Sequence, residues 1–494
     1  MSRVVCVSHR VSPPDSARGT AGNGGLPDGM REILERRGAG MWFGWDGNII
    51  GSFRDRQRKA VTATSGKGTV FATIPLTEKE HSDLRLETAD KGLWPFLHEM
   101  PEHISAGEAA FAGFRQVSYI FAAYLRPLLK PDDVIWVHDY HLIPLGQALR
   151  DLGVENRILY FHRVTLPDAE VVRDRMPQAF QSLYGDLVKN LFAYNRVGFQ
   201  SFRDLHNFMD YIGYHGSMPK RYSTAVMSYE GRQGKFGVFP VSVETASLEM
   251  QAKAAADNKT SRSLRRPPEN RALIIGADRL DYTKGLAHRM KGVDFFFSRH
   301  PDLREKSEFV QIVLPHHPDS PRSSLAAAEA REAMNNLEKN HMHAVLYSED
   351  PLSRKDLIGY FRQARVGLVT SLMDGQNLVA KEFLAAQNPD DPGILILSQY
   401  AGAAEELANL GALLVDPRDP ADIAAKIARA LTMPVFERAK CHGYALEHLR
   451  VHDLNHWISR FLDHDGIPAG RRNVLSLPCF RQPAKTPLPV PSER

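Results

Sequence analysis

Apolar residues along this chain gather in short runs rich in β-branched and aromatic side chains, at residues 4–7, 134–137, 158–161, 196–199, 272–275, 309–314, 366–369 and 394–397. Longer stretches that mix apolar and polar positions separate the runs. A run of four to eight apolar residues bounded by turn residues suits a strand buried on both faces. The stretches between are long enough for crossover helices, so the alternation predicts an α/β fold with parallel sheets.

Four runs precede a polar stretch at about 252–270 that carries Lys, Asn and Ser, and four follow it. Pro267-Pro268 closes that stretch just before the next run, as at a handover between domains. We therefore expect residues 1–250 and 251–465 to form two Rossmann-like domains facing each other. From about Gly466, Pro468, Pro478, Pro483, Pro487, Pro489 and Pro491 cannot sustain a helix or a central strand, so 466–494 is expected to be a disordered tail.

The bulk properties narrow the picture. A chain of 494 residues exceeds what one hydrophobic core usually supports, in line with two domains. Lys and Arg total 62 against 58 Asp and Glu, and a formal charge of +4 is too small to imply a nucleic-acid surface. Cys6, Cys441 and Cys479 are odd in number and widely spaced, which gives neither a disulfide framework nor a zinc knuckle. The first apolar run is too short for a signal peptide, and no run approaches the ~18 residues of a membrane span. The expectation is a soluble, cytoplasmic protein that binds neither nucleic acid nor membrane; whether it forms a homo-oligomer is left open.

Ligands of open α/β sheets bind beyond the carboxyl ends of the strands, so the turns after the runs are where chemistry is sought. The first turn has Ser8-His9-Arg10 and then Gly19, Gly22, Gly24 and Gly25; glycines let backbone amides approach a phosphate, although they are equally common in plain loops. The second, His138-Asp139-Tyr140-His141, offers Asp139 either to sugar hydroxyls or as a helix cap. In the third, Arg279 and Lys284 lie near Gly285 and suit a diphosphate, with ion pairing to Asp278 or Asp281 as the structural alternative. The fourth runs from a strand through Asp374-Gly375-Gln376-Asn377 into a helix, whose free amides favour an anion while Glu382 could reach ribose hydroxyls. There the alternative is Asp374 as an ordinary cap and Glu382 on a solvated face. The fifth, Tyr400-Ala401-Gly402-Ala403, suits close backbone packing. His316-His317, His341-Met342-His343 and Asp463-His464-Asp465 lack metal-site spacing, and neither a Walker loop nor G-x-S-x-G occurs.

In order along the chain, Met41-Trp42-Phe43-Gly44-Trp45, Val137-His138-Asp139-Tyr140-His141-Leu142, Arg279-Leu280-Asp281-Tyr282-Thr283-Lys284-Gly285, Asp374-Gly375 with Asn377-Leu378-Val379-Ala380-Lys381-Glu382, and 397–404 resemble glycosyltransferase family 20, the trehalose-6-phosphate synthases. The resemblance covers roughly 2–461. It implies a GT-B fold, with the two domains across a cleft, and a metal-independent retaining transfer of glucose from a nucleotide-diphosphate glucose to glucose 6-phosphate, giving α,α-trehalose 6-phosphate. UDP-glucose is the expected donor, with GDP and ADP sugars left open. The nucleotide sugar is a substrate, and no cofactor is implied.

By the same resemblance Arg279, Lys284, Asp139 and Asp374 are the catalytic residues. Gly24, Gly25, Arg279, Lys284, Asp374, Gly375, Asn377, Leu378, Val379 and Glu382 bind the donor, and Arg10, Arg85, Trp94, Asp139 and Arg322 the acceptor. Departures cluster around the sugars. Arg163 falls on a family histidine, with His162 one residue early and facing the other way along a strand. Arg85 replaces a tyrosine, Pro318 an arginine whose nearest substitute is Arg322, and Met373 an arginine before Asp-Gly. A related transferase using a glycerol phosphate or cyclitol phosphate acceptor, or a nucleotide-sugar-binding regulator without turnover, are the competing expectations.

Overall fold

The structure is a computed structural model that describes residues 2–11, 40–52, 54–55, 62–66, 68–257, 271–314, 321–342, 344–350 and 352–463. The glycine loop with Gly24 and Gly25, Pro318 and the 466–494 tail lie outside the described residues.

Among the described residues two sheets form. The first contains β1 (Val4–Arg10), β2 (Gly40–Ile50), β3 (Thr62–Gly66), β4 (Thr69–Thr77), β5 (Val134–His138), β6 (Arg157–Phe161), β7 (Arg196–Phe199), β8 (Thr224–Tyr229) and β9 (Arg232–Val238). Their order is β3-β4-β2-β1-β5-β6-β7-β9-β8. Only the edge strands β3 and β8 pair antiparallel, with β4 and β9. The second contains β10 (Ala272–Arg279), β11 (Ser307–Leu314), β12 (Val345–Ser348), β13 (Val366–Val369), β14 (Ile394–Ser398) and β15 (Leu413–Val415) in the order β12-β11-β10-β13-β14-β15, all parallel. This is the doubly wound order, in which the chain starts centrally, winds to one side and returns to the other. Each of the eight expected apolar runs lies in one of these strands.

The reversal points are therefore β1/β5 in the first sheet and β10/β13 in the second. Helices on both faces shield the strands; Val5, Val7, Ile135 and Val137 are buried, as are Ile274, Ile275, Val366 and Leu368. Near-continuous apolar strands are what a parallel sheet covered on both faces requires.

The chain crosses between the sheets twice. It leaves the first after β9 and enters the Thr245–Asp257 helix; it returns from the Val435–Val451 helix into the Leu454–Asp463 helix. On that last helix Leu454, Trp457, Ile458, Phe461 and Leu462 recur at helical spacing and are buried against Trp136, Phe161 and Phe239 of the first sheet. The Trp457 indole N–H donates to the Phe239 carbonyl at 2.8 Å, satisfying the ring's polar atom inside an apolar contact. At the crossings Thr245 Oγ1 donates to the Leu449 carbonyl (2.9 Å) and the Leu454 amide to the Val243 carbonyl (3.1 Å). No helix among the described residues is long and apolar enough to cross a membrane.

Candidate active site

Both reversal points deliver polar residues to one cleft. On the first sheet β1 ends in His9 and Arg10 and β5 in His138, followed by Asp139. Asp139 has φ 77°, a region that non-glycine residues enter only when their surroundings fix them. Its amide donates to the Phe161 carbonyl (3.0 Å), and Oδ1 accepts from the Tyr140 amide (2.9 Å), so it does cap the turn at Tyr140–Leu142. Oδ2 remains 3.7 Å from His141 Nδ1. Burial works to raise the Asp139 carboxyl, but His141 and the Arg163 charge outweigh it and hold the group well below the usual carboxylate range.

Arg85 lies on a π-helical segment, Ser82–Leu93, and forms an ion pair with buried Asp90. Its Nη1 is 3.4 Å from His141 Nε2, and His141 stacks on His9 at 4.8 Å. Burial and the neighbouring cations lower the pKa of His9 and His81, and burial that of His141, so neutral imidazoles surround the arginine. Arg10 is exposed at the rim, its guanidinium 5.6 Å from the centre of the Trp45 ring. Beneath this rim His138 is buried with neither ring nitrogen hydrogen-bonded, and burial followed by the Arg163 charge pushes it down to about 3.

The loop after β6 separates two neighbours. His162 is buried between the Tyr160 hydroxyl (2.9 Å) and the Thr165 carbonyl (3.1 Å), away from the cleft. Arg163 is half-buried, and its charge acts on Asp139 and Arg279.

On the second sheet, Arg279 ends β10 and is exposed. Lys284 does not pair with Asp278 or Asp281. Its Nζ meets Asp374 Oδ2 at 2.5 Å, while Asp278 pairs with buried Arg289 at 2.6 Å. Asp374 is not a helix cap either: Oδ2 also accepts from Ser371 Oγ (3.1 Å) and Asn377 Nδ2 (3.0 Å). Burial would raise its carboxyl, but Lys284, followed by His98 and the Ser371 hydroxyl, holds it below its ordinary value. The Leu378–Ala386 helix starts at Asn377, which has φ 69° and gives no side-chain cap, so the first-turn amides of Leu378 and Val379 are left for an anion. Glu382 is buried and accepts from Arg354 Nη1 at 3.1 Å; burial raises its carboxyl against the pull of that guanidinium.

Close backbone contacts fix this turn. The Gly402 amide donates to the Asp374 carbonyl (3.1 Å), and a Cβ on Gly402 would lie 1.9 Å from the Gly375 carbonyl oxygen, so only glycine fits. A Cβ on Gly375 would lie 2.6 Å from the Arg163 carbonyl oxygen across the cleft.

Several contacts among the described residues join the halves at the site. The Trp94 indole N–H donates to Asp281 Oδ1 (3.3 Å) while its ring packs on His98 at 4.1 Å. Arg203 donates to the carbonyls of Tyr400 (2.9 Å) and Asp374 (3.2 Å), and Glu405 accepts from the Phe202 and Arg203 amides. Deeper, buried Lys381 donates to the Val241 carbonyl (2.8 Å) and to Glu406 Oε1 (2.7 Å), which also accepts from Gln376.

Of the expected site residues, the cleft thus brings together Arg10, Arg85, Trp94, Asp139, Arg163, Arg279, Lys284, Asp374, Gly375, Asn377, Leu378, Val379 and Glu382; His162 is turned away. Arg322 lies in the first turn of the Pro321–Asn340 helix, with its side chain outside the described part. Asp90, His98 and Arg354 also stand at the site, outside the strand-end motifs. Among the described residues no group of three or more His, Cys, Asp or Glu could hold a metal ion.

The model of glycosyltransferase family 20 matches residues 6–464. A trehalose-6-phosphate synthase of Sinorhizobium fredii (strain NBRC 101917 / NGR234) is 38% identical over 468 residues, covering 94% of this chain and 98% of the relative. The crystal structure of a UDP-forming α,α-trehalose-phosphate synthase from Burkholderia xenovorans in complex with glucose-6-phosphate superposes with a TM-score of 0.84 at 33% identity, covering 93% of this chain and 99% of that one. A structure from E. coli bound with UDP-2-fluoro glucose superposes with a TM-score of 0.81 at 31% identity, covering 93% and 98%.

Proposed function

The chain belongs to glycosyltransferase family 20, and from that premise we propose that it transfers glucose from UDP-glucose to glucose 6-phosphate with retention, releasing UDP and α,α-trehalose 6-phosphate. The observation that carries this reading is the pairing of the two reversal points. One presents Arg279, Lys284 and the free amides of a helix start, and the other presents Asp139 among Arg10, Arg85 and Trp94.

In this reading the diphosphate lies on Arg279, Lys284 and the amides of Leu378 and Val379. Lys284 is then shared between the phosphate and Asp374, whose carboxylate faces the donor sugar together with the Gly375 and Asn377 backbone. Glu382, steadied by Arg354, takes the ribose hydroxyls. On the other side Asp139 accepts from acceptor hydroxyls, Trp94 covers the sugar ring, and Arg10 and Arg85 face the phosphate, with Arg322 as a third candidate cation.

The bond from the donor anomeric carbon to the phosphate oxygen breaks with its electron pair passing to UDP. Positive charge gathers on the sugar and negative charge on the phosphate. Cations fixed in a partly dry cleft stabilise the leaving diphosphate, which gains negative charge as the bond breaks, more than they stabilise the less highly charged diphosphate ester of the donor, which lowers the barrier. The acceptor hydroxyl attacks from the face that UDP leaves, and its proton passes to the departing phosphate oxygen. Retention then needs no pair of carboxylates. The nucleotide sugar is a substrate, and the reading assigns no cofactor and places the enzyme in the cytoplasm.

The test is incubation with UDP-glucose and glucose 6-phosphate, measuring UDP release and disaccharide phosphate together. Arg279→Ala is expected to lower kcat/KM by about 100-fold or more, as loss of a charge-bearing donor in the transition state does. UDP release without a disaccharide phosphate would refute glucose 6-phosphate as acceptor.

A further inference from the structure

Two arginines from opposite halves of the chain stand at the ends of strands that meet at the cleft, near enough for the charge of one to act on the other. Arg163 stands two residues beyond β6, and its carbonyl oxygen is tied to Gln200 Nε2 (3.3 Å) and packed against Gly375 of the donor turn. Its backbone is therefore fixed beside Asp374 and Lys284. Arg279 ends β10 and reaches the cleft from the other side. Each feels the positive charge of the other, yet among the described residues neither guanidinium has a hydrogen bond or ion pair.

The other charges nearby are occupied. Lys284 is on Asp374, Arg354 on Glu382 and Arg85 on Asp90. Asp139 attracts Arg163 but lies beyond ion-pair distance, and it is already engaged by the Tyr140 amide and His141. Two like charges that act on one another at a half-buried site are balanced by an anion that both can touch.

We propose that Arg163 is a further ligand of the departing diphosphate, gripping from the acceptor-side half the same terminal phosphate that Arg279 holds from the donor side. This rests on the proposed use of a UDP sugar. It assigns to Arg163 a task that a neutral imidazole, as at the family's histidine position, would not perform. Guanidinium carries its charge at every accessible pH and offers a planar fork of donors to phosphate oxygens. The phosphate gains charge as the sugar leaves, so the grip tightens through the reaction and persists in the UDP complex.

Calorimetric titration of the full chain with UDP, UMP and uridine tests this. Arg163→Gln is expected to weaken UDP binding by roughly 10- to 100-fold, the range of one charge-assisted hydrogen-bonded contact, and UMP binding by less than about threefold. Arg163→His provides the second variant. Its UDP affinity should recover toward wild type as the pH falls below about 6.5, where the imidazole becomes charged, by more than the wild-type affinity changes over the same range. The combination with Arg279→Gln should lose less than the product of the two single losses, because both groups hold one anion. Unchanged UDP affinity in Arg163→Gln, or an equal loss for UDP, UMP and uridine, overturns the assignment alone. A wild-type protein that binds no UDP overturns the proposed donor as well.

Discussion

Replacing Lys381 by Met should destabilise the protein through a charge left without its partner. The Lys381 and Glu406 side chains are 0% and 2% exposed and 2.7 Å apart. Removing one member of a buried ion pair typically costs about 3–5 kcal/mol, because the remaining charge stays desolvated. Glu406 would keep His448 Nε2 at 3.2 Å, the Gln376 amide and Arg221 at 3.9 Å, which places the expected loss near the lower end, about 3 kcal/mol. For a cooperative unit of 150–250 residues, that is a fall in Tm of roughly 6–12 °C. Methionine fills most of the volume, so the loss is electrostatic rather than a cavity effect. Thermal melts of wild type, Lys381→Met, Glu406→Gln and the double variant at pH 7.5 provide the measurement. With both charges gone, the double variant should regain at least half of the loss caused by Lys381→Met. The pH dependence has a fixed sign. Burial raises the Glu406 carboxyl, but Lys381 and His448 hold it below its ordinary 4.5. Its contribution is therefore complete above that value and is withdrawn as the pH falls toward the lower folded value; Glu406→Gln should flatten the stability curve there. A Lys381→Met protein within about 0.5 kcal/mol of wild type, or a double variant whose loss is the sum of the single losses, would refute the reasoning.

Two further outcomes follow from the same geometry. His138→Phe removes a buried ring with no hydrogen-bond partner and should stabilise the protein by about 1 kcal/mol at pH 8, read from urea midpoints. Because the folded pKa of His138 is lowered to about 3 from 6.5, the neutral ring adds no protonation penalty above 6.5, and a destabilising one grows as the pH falls from 6.5 toward 3; the variant should lack that slope of up to about 1.4 kcal/mol per pH unit. Gly402→Ala should displace the Gly375 carbonyl and lower kcat/KM by about 100-fold with an unchanged far-UV circular dichroism spectrum, whereas activity within threefold of wild type would show that the donor turn tolerates the shift.

The central strands were legible because parallel strands covered on both faces are nearly pure apolar runs, as at 134–137 and 394–397. β3, with Thr62-Ala63-Thr64-Ser65-Gly66, and the half-exposed β8 carry no such signal, since an edge strand is defined by its neighbour. β15 has only three residues, and β2 was read for its Trp-Phe-Gly-Trp motif rather than as a strand. At the candidate site, residue types after strand ends single out Asp139, Arg279, Lys284 and Asp374 as candidates. Their pairing was not legible: Asp281 is three residues from Lys284 and the actual partner Asp374 is ninety away. Likewise, nothing local to Arg85 announces its stack of histidines, because His9 and His141 arrive on β1 and after β5.

The two chain crossings, pinned side by side at Thr245–Leu449 and Val243–Leu454, act as the two pins of a door. A single tether lets one body swivel and twist about the other, while two adjacent pins leave one easy rotation, about the line through them. Opening the cleft to load substrates should then carry Arg279 and Asp374 along one arc relative to Asp139 and Arg163. They would return to the same register at every closure, so the facing of the two reversal points is set by the wiring of the backbone.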